Sequence, residues 1–236
     1  MPEAIRASHL DPVARAQLRT LPADLADSVA RLLVAAAQAD DPERGYEYAV
    51  AARGLAARVG VVRETCGIAA YRAGKWAEAL AELRAARRIT GQDAYLPVMA
   101  DCERGLGRLD RALDLVTKVK AEDLSRDTRI ELRIVEAGIR RDQGLPEAAV
   151  AALRIPELTE NVRGTASARL CYAYADALTQ VGRDAEARSW FARAAWADVA
   201  GATDAAERAG DLDVVAFDDL EDEDEDPPAG PGAGHR

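Results

Sequence analysis

Histidine is almost missing from this chain of 236 residues: His9 and His235 are its only imidazoles, and they stand at opposite ends. The shortage removes the commonest metal ligand and the commonest general base. Neither a His/Cys metal cluster nor a Ser or Cys nucleophile activated by a neighbouring imidazole is therefore expected. Cysteine is sparse as well. Cys66, Cys102 and Cys171 lie far apart with no C-x-x-C pair, which speaks for a reducing compartment and for three small apolar residues inside a helical core. Aromatic residues make up only 5% of the chain, too few for a β-sandwich built on large rings, whereas abundant alanine suits helices that pack closely.

Long apolar runs are also lacking. The longest, "LLVAAA" at 32–37, falls far short of the roughly 18 residues that a spanning helix needs. The opening "MPEAIRASHLDPVARAQL" has no apolar stretch of the kind that makes a secretory signal. A soluble cytoplasmic protein without membrane contact is the expectation.

The formal charge of −10 belongs to one segment. Ten acidic residues and no Lys or Arg lie between Asp211 and Asp226; setting those ten aside from the total of 41 leaves 31 acidic against 30 basic residues over 1–210. The body is nearly neutral, and the asymmetry sits in the tail.

What the chain does have is a repeated phrase. "GKWAEALAELRAARRITG", residues 74–91, puts Trp76, Ala79, Leu80, Leu83 and Ala86 on one helical face, with charged residues filling much of the rest. The pattern returns as "GRLDRALDLVTKV" from Gly107, "GLPEAAVAALRI" from Gly144 and "GRDAEARSWFARAA" from Gly182, at spacings of 33, 37 and 38 residues. Each copy follows another helix-period segment that ends at its glycine, so the unit is helix, turn, helix. A hairpin of this size cannot bury its apolar face alone, and neighbouring copies must stack. Upstream, the stripe Leu25, Val29, Leu32, Leu33, Ala36 and the segment "DDPERGYEYAVAARGLAARVG" form an imperfect fifth copy, with Asp41 as N-cap and Pro42 in the first turn. Asp11 and Pro12 predict a short capping helix over 11–20.

Gly67, Tyr71, Gly74, Trp76, Ala79, Leu83 and Ala86 together resemble the tetratricopeptide repeat. The resemblance covers about residues 24–200 and is most specific in the second copy. It departs from the family's period of 34, mostly lacks the proline between repeats, and has Pro146 in place of the aromatic after its turn. The text from "LRTLPADLADSVARLLVAAA" to "DCERGLGRLDRAL" is further similar to an actinobacterial group of such proteins. The implied fold class is all-α: a right-handed solenoid of about five stacked antiparallel helical hairpins. Residues 1–23 are then an N-terminal capping segment, 24–210 the repeat domain, and 211–236 an acidic, Pro/Gly-rich and largely disordered tail.

No chemistry emerges from the motifs. "GLGRLD" at 105–110 follows a helical segment and lacks a third glycine, and "AGKWAE" has no preceding phosphate-loop glycine. No enzyme, no cofactor and no metal site are expected. The resemblance implies instead that the first helix of each pair lines a concave groove. Mapped onto this chain, that groove takes Glu64, Ile68, Tyr71, Arg72, Asp101, Arg104, Ile134, Arg141, Tyr172 and Asp176, with Val61 and Arg169 beside them. Tyr71, Arg104 and Arg141 hold equivalent places, a ladder suited to carboxylate or phosphate unless the arginines are paired within their own helices. Glu64, Pro97 and Asp101 stand where chaperone-binding members carry Lys and Asn, which argues against that type of docking.

The expected function is a protein-interaction scaffold or adaptor that takes an extended or helical peptide or a partner helix in the groove, with another protein or peptide, acidic ones included, as the expected partner. The alternative is a nucleic-acid-associated or regulatory factor whose acidic tail competes for an Arg-bearing surface. The near-neutral body and the absence of a Lys/Arg cluster interleaved with aromatics argue against nucleic acid. Within "DVVAFDDLEDEDED", Phe217 and Leu220 either finish the C-terminal cap or anchor the tail in its own groove near Arg72, Arg104 and Arg141.

Overall fold

The computed structural model of the chain describes residues 5–210. Twelve α-helices and four short 3-10 turns make up its secondary structure, and no strand occurs among the described residues. The tail from residue 211, with the disorder expected of it and with Phe217 and Leu220, lies outside them. After α1 (Pro12–Gln17) come α2 (Ala23–Gln38) and α3 (Pro42–Ala56), α4 (Gly60–Arg72) and α5 (Trp76–Thr90), and α6 (Leu96–Gly105) and α7 (Leu109–Thr117). They are followed by α8 (Arg126–Asp142) and α9 (Pro146–Ala152), α10 (Thr165–Gln180) and α11 (Asp184–Ala197), and the short α12 (Ala205–Ala209).

The glycine turns share one geometry. At Gly74 the backbone enters the left-handed region at φ 69°; Gly107, Gly144 and Gly182 do the same at 72°, 75° and 75°, where a Cβ would be strained. The N–H of Gly74 donates to the Tyr71 carbonyl and that of Lys75 to Ala70. The same pair of bonds, offset identically, closes the other three turns and satisfies carbonyls that a helix end leaves orphaned. The next helix then starts two residues after the glycine in all four copies. The N-terminal pair α2–α3 has no such glycine: Asp41 caps α3 by accepting from the Glu43 N–H at 3.1 Å, ahead of Pro42 at the first position. Asp11 caps α1 likewise, through the N–H groups of Val13 and Ala14.

Small residues set how closely each pair packs. Five residues after each glycine stand Ala79, Ala112, Ala149 and Ala187, all buried. Seven before it stand Gly67, Ala100, Ala137 and Ala175, buried as well. A Cβ on Gly67 would come within 2.6 Å of Leu83 and 3.3 Å of the Ala79 carbonyl, so α4 and α5 touch there almost backbone to backbone.

Two helices stop earlier than the apolar pattern suggests. α7 ends at Thr117 and α9 at Ala152, although the stripes continue to Val119 and Ile155. For α9 the cause is Pro156, whose ring would collide with the carbonyl of the residue four before it, Ala152. The longer spacings of 37 and 38 residues are taken up in the connections after these short helices, each containing a 3-10 turn, Ala121–Asp123 and Pro156–Leu158.

From α2 onward consecutive helices pack on each other, and the first helices of successive pairs also meet: α2 with α4, α4 with α6, α6 with α8, and α8 with α10. Most of the buried hydrophobic residues fall into four clusters whose sequence ranges overlap from the N-terminal pair to α12. No helix among the described residues is long and apolar enough to cross a membrane.

The three cysteines sit in this core as free thiols. Burial pushes Cys66 and Cys171 up to about 11 and Cys102 to about 12. At pH 8 all three are therefore protonated and poor nucleophiles. A disulfide-exchange reagent should react with the native protein only on the timescale of unfolding and count three thiols at once in denaturant; fast native labelling of any thiol would contradict this placement.

Candidate binding groove

The row of first helices presents a face with an open depression of about 370 Å³. α4 contributes Tyr71, α6 Pro97, Val98, Asp101 and Arg104, α8 Glu131, Ile134, Val135, Gly138 and Arg141, and α10 Arg169. Tyr71, Asp101, Arg104, Ile134 and Arg141 are thus brought together. Tyr172 lines a neighbouring depression of about 360 Å³ with Ile134, Arg169, Thr203 and Asp204. Asp176 borders a smaller one of about 100 Å³ with Arg141.

Glu64, Ile68 and Arg72 do not line these depressions. Arg72 is exposed and turns back toward α2, 3.4 Å from the Ala37 carbonyl. Ile68 is half-buried on α4. Glu64 accepts a 3.4 Å bond from the Tyr95 hydroxyl; its burial raises its pKa and the Tyr95 bond offsets that only in part.

The ladder of Tyr71, Arg104 and Arg141 exists, but its polar groups already have partners. Tyr71 donates to Asp101 at 2.6 Å; burial, reinforced by that bond, holds its phenol well above the ordinary range. Arg104 donates to Asp101 at 2.7 Å and to Asp142 at 2.8 Å. Burial opposes the Arg104 charge, yet the bonds to Asp142 and Asp101 outweigh it and keep the guanidinium above its usual value. Arg141 reaches Asp176 at 3.5 Å, and Asp176 also accepts from Arg208 at 2.9 Å. Arg169 forms a two-pronged pair with Glu131 at 2.8 and 3.0 Å.

A register rule underlies these pairs. The residue three before one turn glycine meets the residue six before the next: Tyr71 meets Asp101, and Arg141 meets Asp176. In the intervening step that place is Gly138, and Arg104 lies across it, its Nε 3.6 Å from where a Cβ would stand, to end on Asp142. The missing side chain is what lets Arg104 reach the following helix.

Reading by sequence offers Asp142 only as an ion-pair partner within its own helix, whereas it pairs with Arg104 of α6, and it misses Gly138 and Arg208 as members of this face. The repeat alignment carries a signal for the first two, since Gly138 breaks an acidic position that Asp101 and Asp176 fill. Arg208 leaves no such trace. It lies 4.1 Å over the Phe191 ring and 5.4 Å over Tyr172, donates to the Tyr172 hydroxyl at 3.1 Å, and so pins α12 against one end of the face.

The fold and this face define a protein that is all-helical among the described residues, with paired helices and a depression lined by apolar side chains and matched ion pairs. No family model matches the sequence, and no curated protein is similar enough to it to count as a relative.

Proposed function

We propose that the chain is a tetratricopeptide-like right-handed solenoid of about five helical hairpins, and that it works as a scaffold that takes a peptide or partner helix along its first helices. The observation that carries this reading is the depression over α6 and α8. Its lining combines apolar surface from Pro97, Val98, Ile134 and Val135 with polar side chains held in fixed positions by their ion pairs. A cleft of that kind holds a side chain by burial while the polar groups read its backbone. Four identical turns and the contact of each first helix with the next support the repeat assignment.

Because Arg104, Arg141 and Arg169 each face a carboxylate, affinity in this reading comes from the apolar lining and not from bare positive charge. The nucleic-acid alternative loses its groove for the same reason. Selection of a random displayed peptide library against the full chain tests the proposal. Selected peptides should carry an apolar anchor and lose about tenfold or more in affinity, about 1.4 kcal/mol, to Ile134→Asp. They should keep their affinity for Leu145→Asp, which alters an exposed leucine outside the depression. Peptides indifferent to Ile134→Asp would refute the assignment of the groove.

A further inference from the structure

The sequence shows no basic cluster interleaved with aromatics, but the fold assembles one on the second-helix side, away from the groove. Arg193 lies 5.4 Å over the Trp190 ring and Arg163 lies 5.3 Å over Trp196. Trp190 meets Tyr174 edge-on at 5.1 Å, and Arg154 donates to the Tyr174 hydroxyl at 3.2 Å. The three arginines come from α11 and from the connection between α9 and α10.

None of them has a carboxylate partner among the described residues, in contrast to the arginines of the groove. The nearby acids are committed elsewhere: Glu157 to Arg129, Glu160 to Arg126 and Glu186 to Arg183. Asp198 accepts from the backbone of Ala202 and Thr203. Arg193 and Arg163 donate to the carbonyls of Thr159, Glu160 and Trp196, and Arg193 also approaches the Cys171 thiol, which is protonated, so no carboxylate among the described residues compensates their positive charges. Both tryptophans are only partly buried.

We propose that the chain's own acidic segment, residues 211–226, occupies this Arg/Trp face. The segment leaves from the end of α12, which packs on α11, and it carries ten carboxylates without a Lys or Arg. Sixteen residues span up to about 50 Å when extended, whereas a fourteen-residue helix such as α11 is only about 21 Å long, so reach is ample. Tethering raises the effective concentration to about the millimolar range, which favours this anion over a free one. The groove is the poorer host for the tail, since its arginines are already matched. Phe217 and Leu220 add apolar contact for the exposed edges of Trp190 and Trp196.

The test uses the full chain carrying Trp76→Phe, which leaves Trp190 and Trp196 as the only tryptophans, and Asp219→Cys, whose thiol takes a nitroxide while the three buried thiols do not. Tryptophan emission should be quenched at low salt. Quenching should be lost near 1 M salt, where the screening length falls to about 3 Å, and lost in Arg163→Gln combined with Arg154→Gln. Those two side chains are exposed, and unchanged helical dichroism keeps that variant interpretable. Absent quenching at low salt, or quenching that survives the arginine replacements, overturns the proposal. Tight binding of a single-stranded RNA oligomer to the unlabelled full chain at low salt would also overturn it, and would give the face to a nucleic acid.

Discussion

Replacing Arg84 and Arg108 together by methionine should destabilise the protein by about 3–5 kcal/mol. Their partner Glu103, on α6, is fully buried. Its carboxylate accepts from Arg84 of α5 at 2.6 Å and from Arg108, just before α7, at 3.4 Å, so three successive helices are tied through one anion. With both guanidiniums gone, the charge must be held without a partner in the core or take up a proton, and either route is costly. The opposite replacement, Glu103→Met, should cost much less. It leaves two arginines whose side chains are nearly half exposed and which water can solvate. Denaturant titration reads both variants as a shift of midpoint at constant slope. Equal midpoints for the two, or no shift for the arginine pair, would mean that the carboxylate finds water by local opening.

The second large effect concerns the closest contact inside a hairpin. Ala79→Leu should cost about 1–3 kcal/mol through overpacking, because Ala79 has no exposed surface and faces Gly67 of the preceding helix. For a chain of this size each kcal/mol lowers the melting temperature by about 2–4 °C. Ala81→Leu, on the exposed face of the same helix, carries the same change in side chain without the collision. It should melt within a degree or two of the parent. Matching losses for the two variants would mean that helix α5 is not held by this contact.

Much of the architecture is legible in local chemistry. Gly74, Gly107, Gly144 and Gly182 announce turns because a left-handed residue costs least without a Cβ. The alanines five residues later mark the buried side, because helical periodicity fixes which positions share a face. Asp11 and Asp41 announce their caps for the same reason: N-cap bonding involves only the next two or three residues. The end of α9 is less legible, since its apolar stripe continues past the point where Pro156 forbids the helix, and α7 likewise stops before its stripe does.

The groove residues show the limit. Tyr71, Arg104 and Arg141 are equivalent by repeat position, and the sequence alone places them on one face. Whether they are open to a ligand depends on partners 30 to 38 residues away, Asp101, Asp142 and Asp176. Those pairings are set by how far one hairpin is displaced along the next, a quantity that no local propensity encodes. The Arg/Trp face on α11 is decided in the same way: Arg154, Arg163 and Arg193 are scattered in sequence and meet only when the connection after α9 folds back over α11. Turn chemistry and periodicity act within a few residues and so belong to the sequence; charge matching acts across helix contacts and belongs to the tertiary structure.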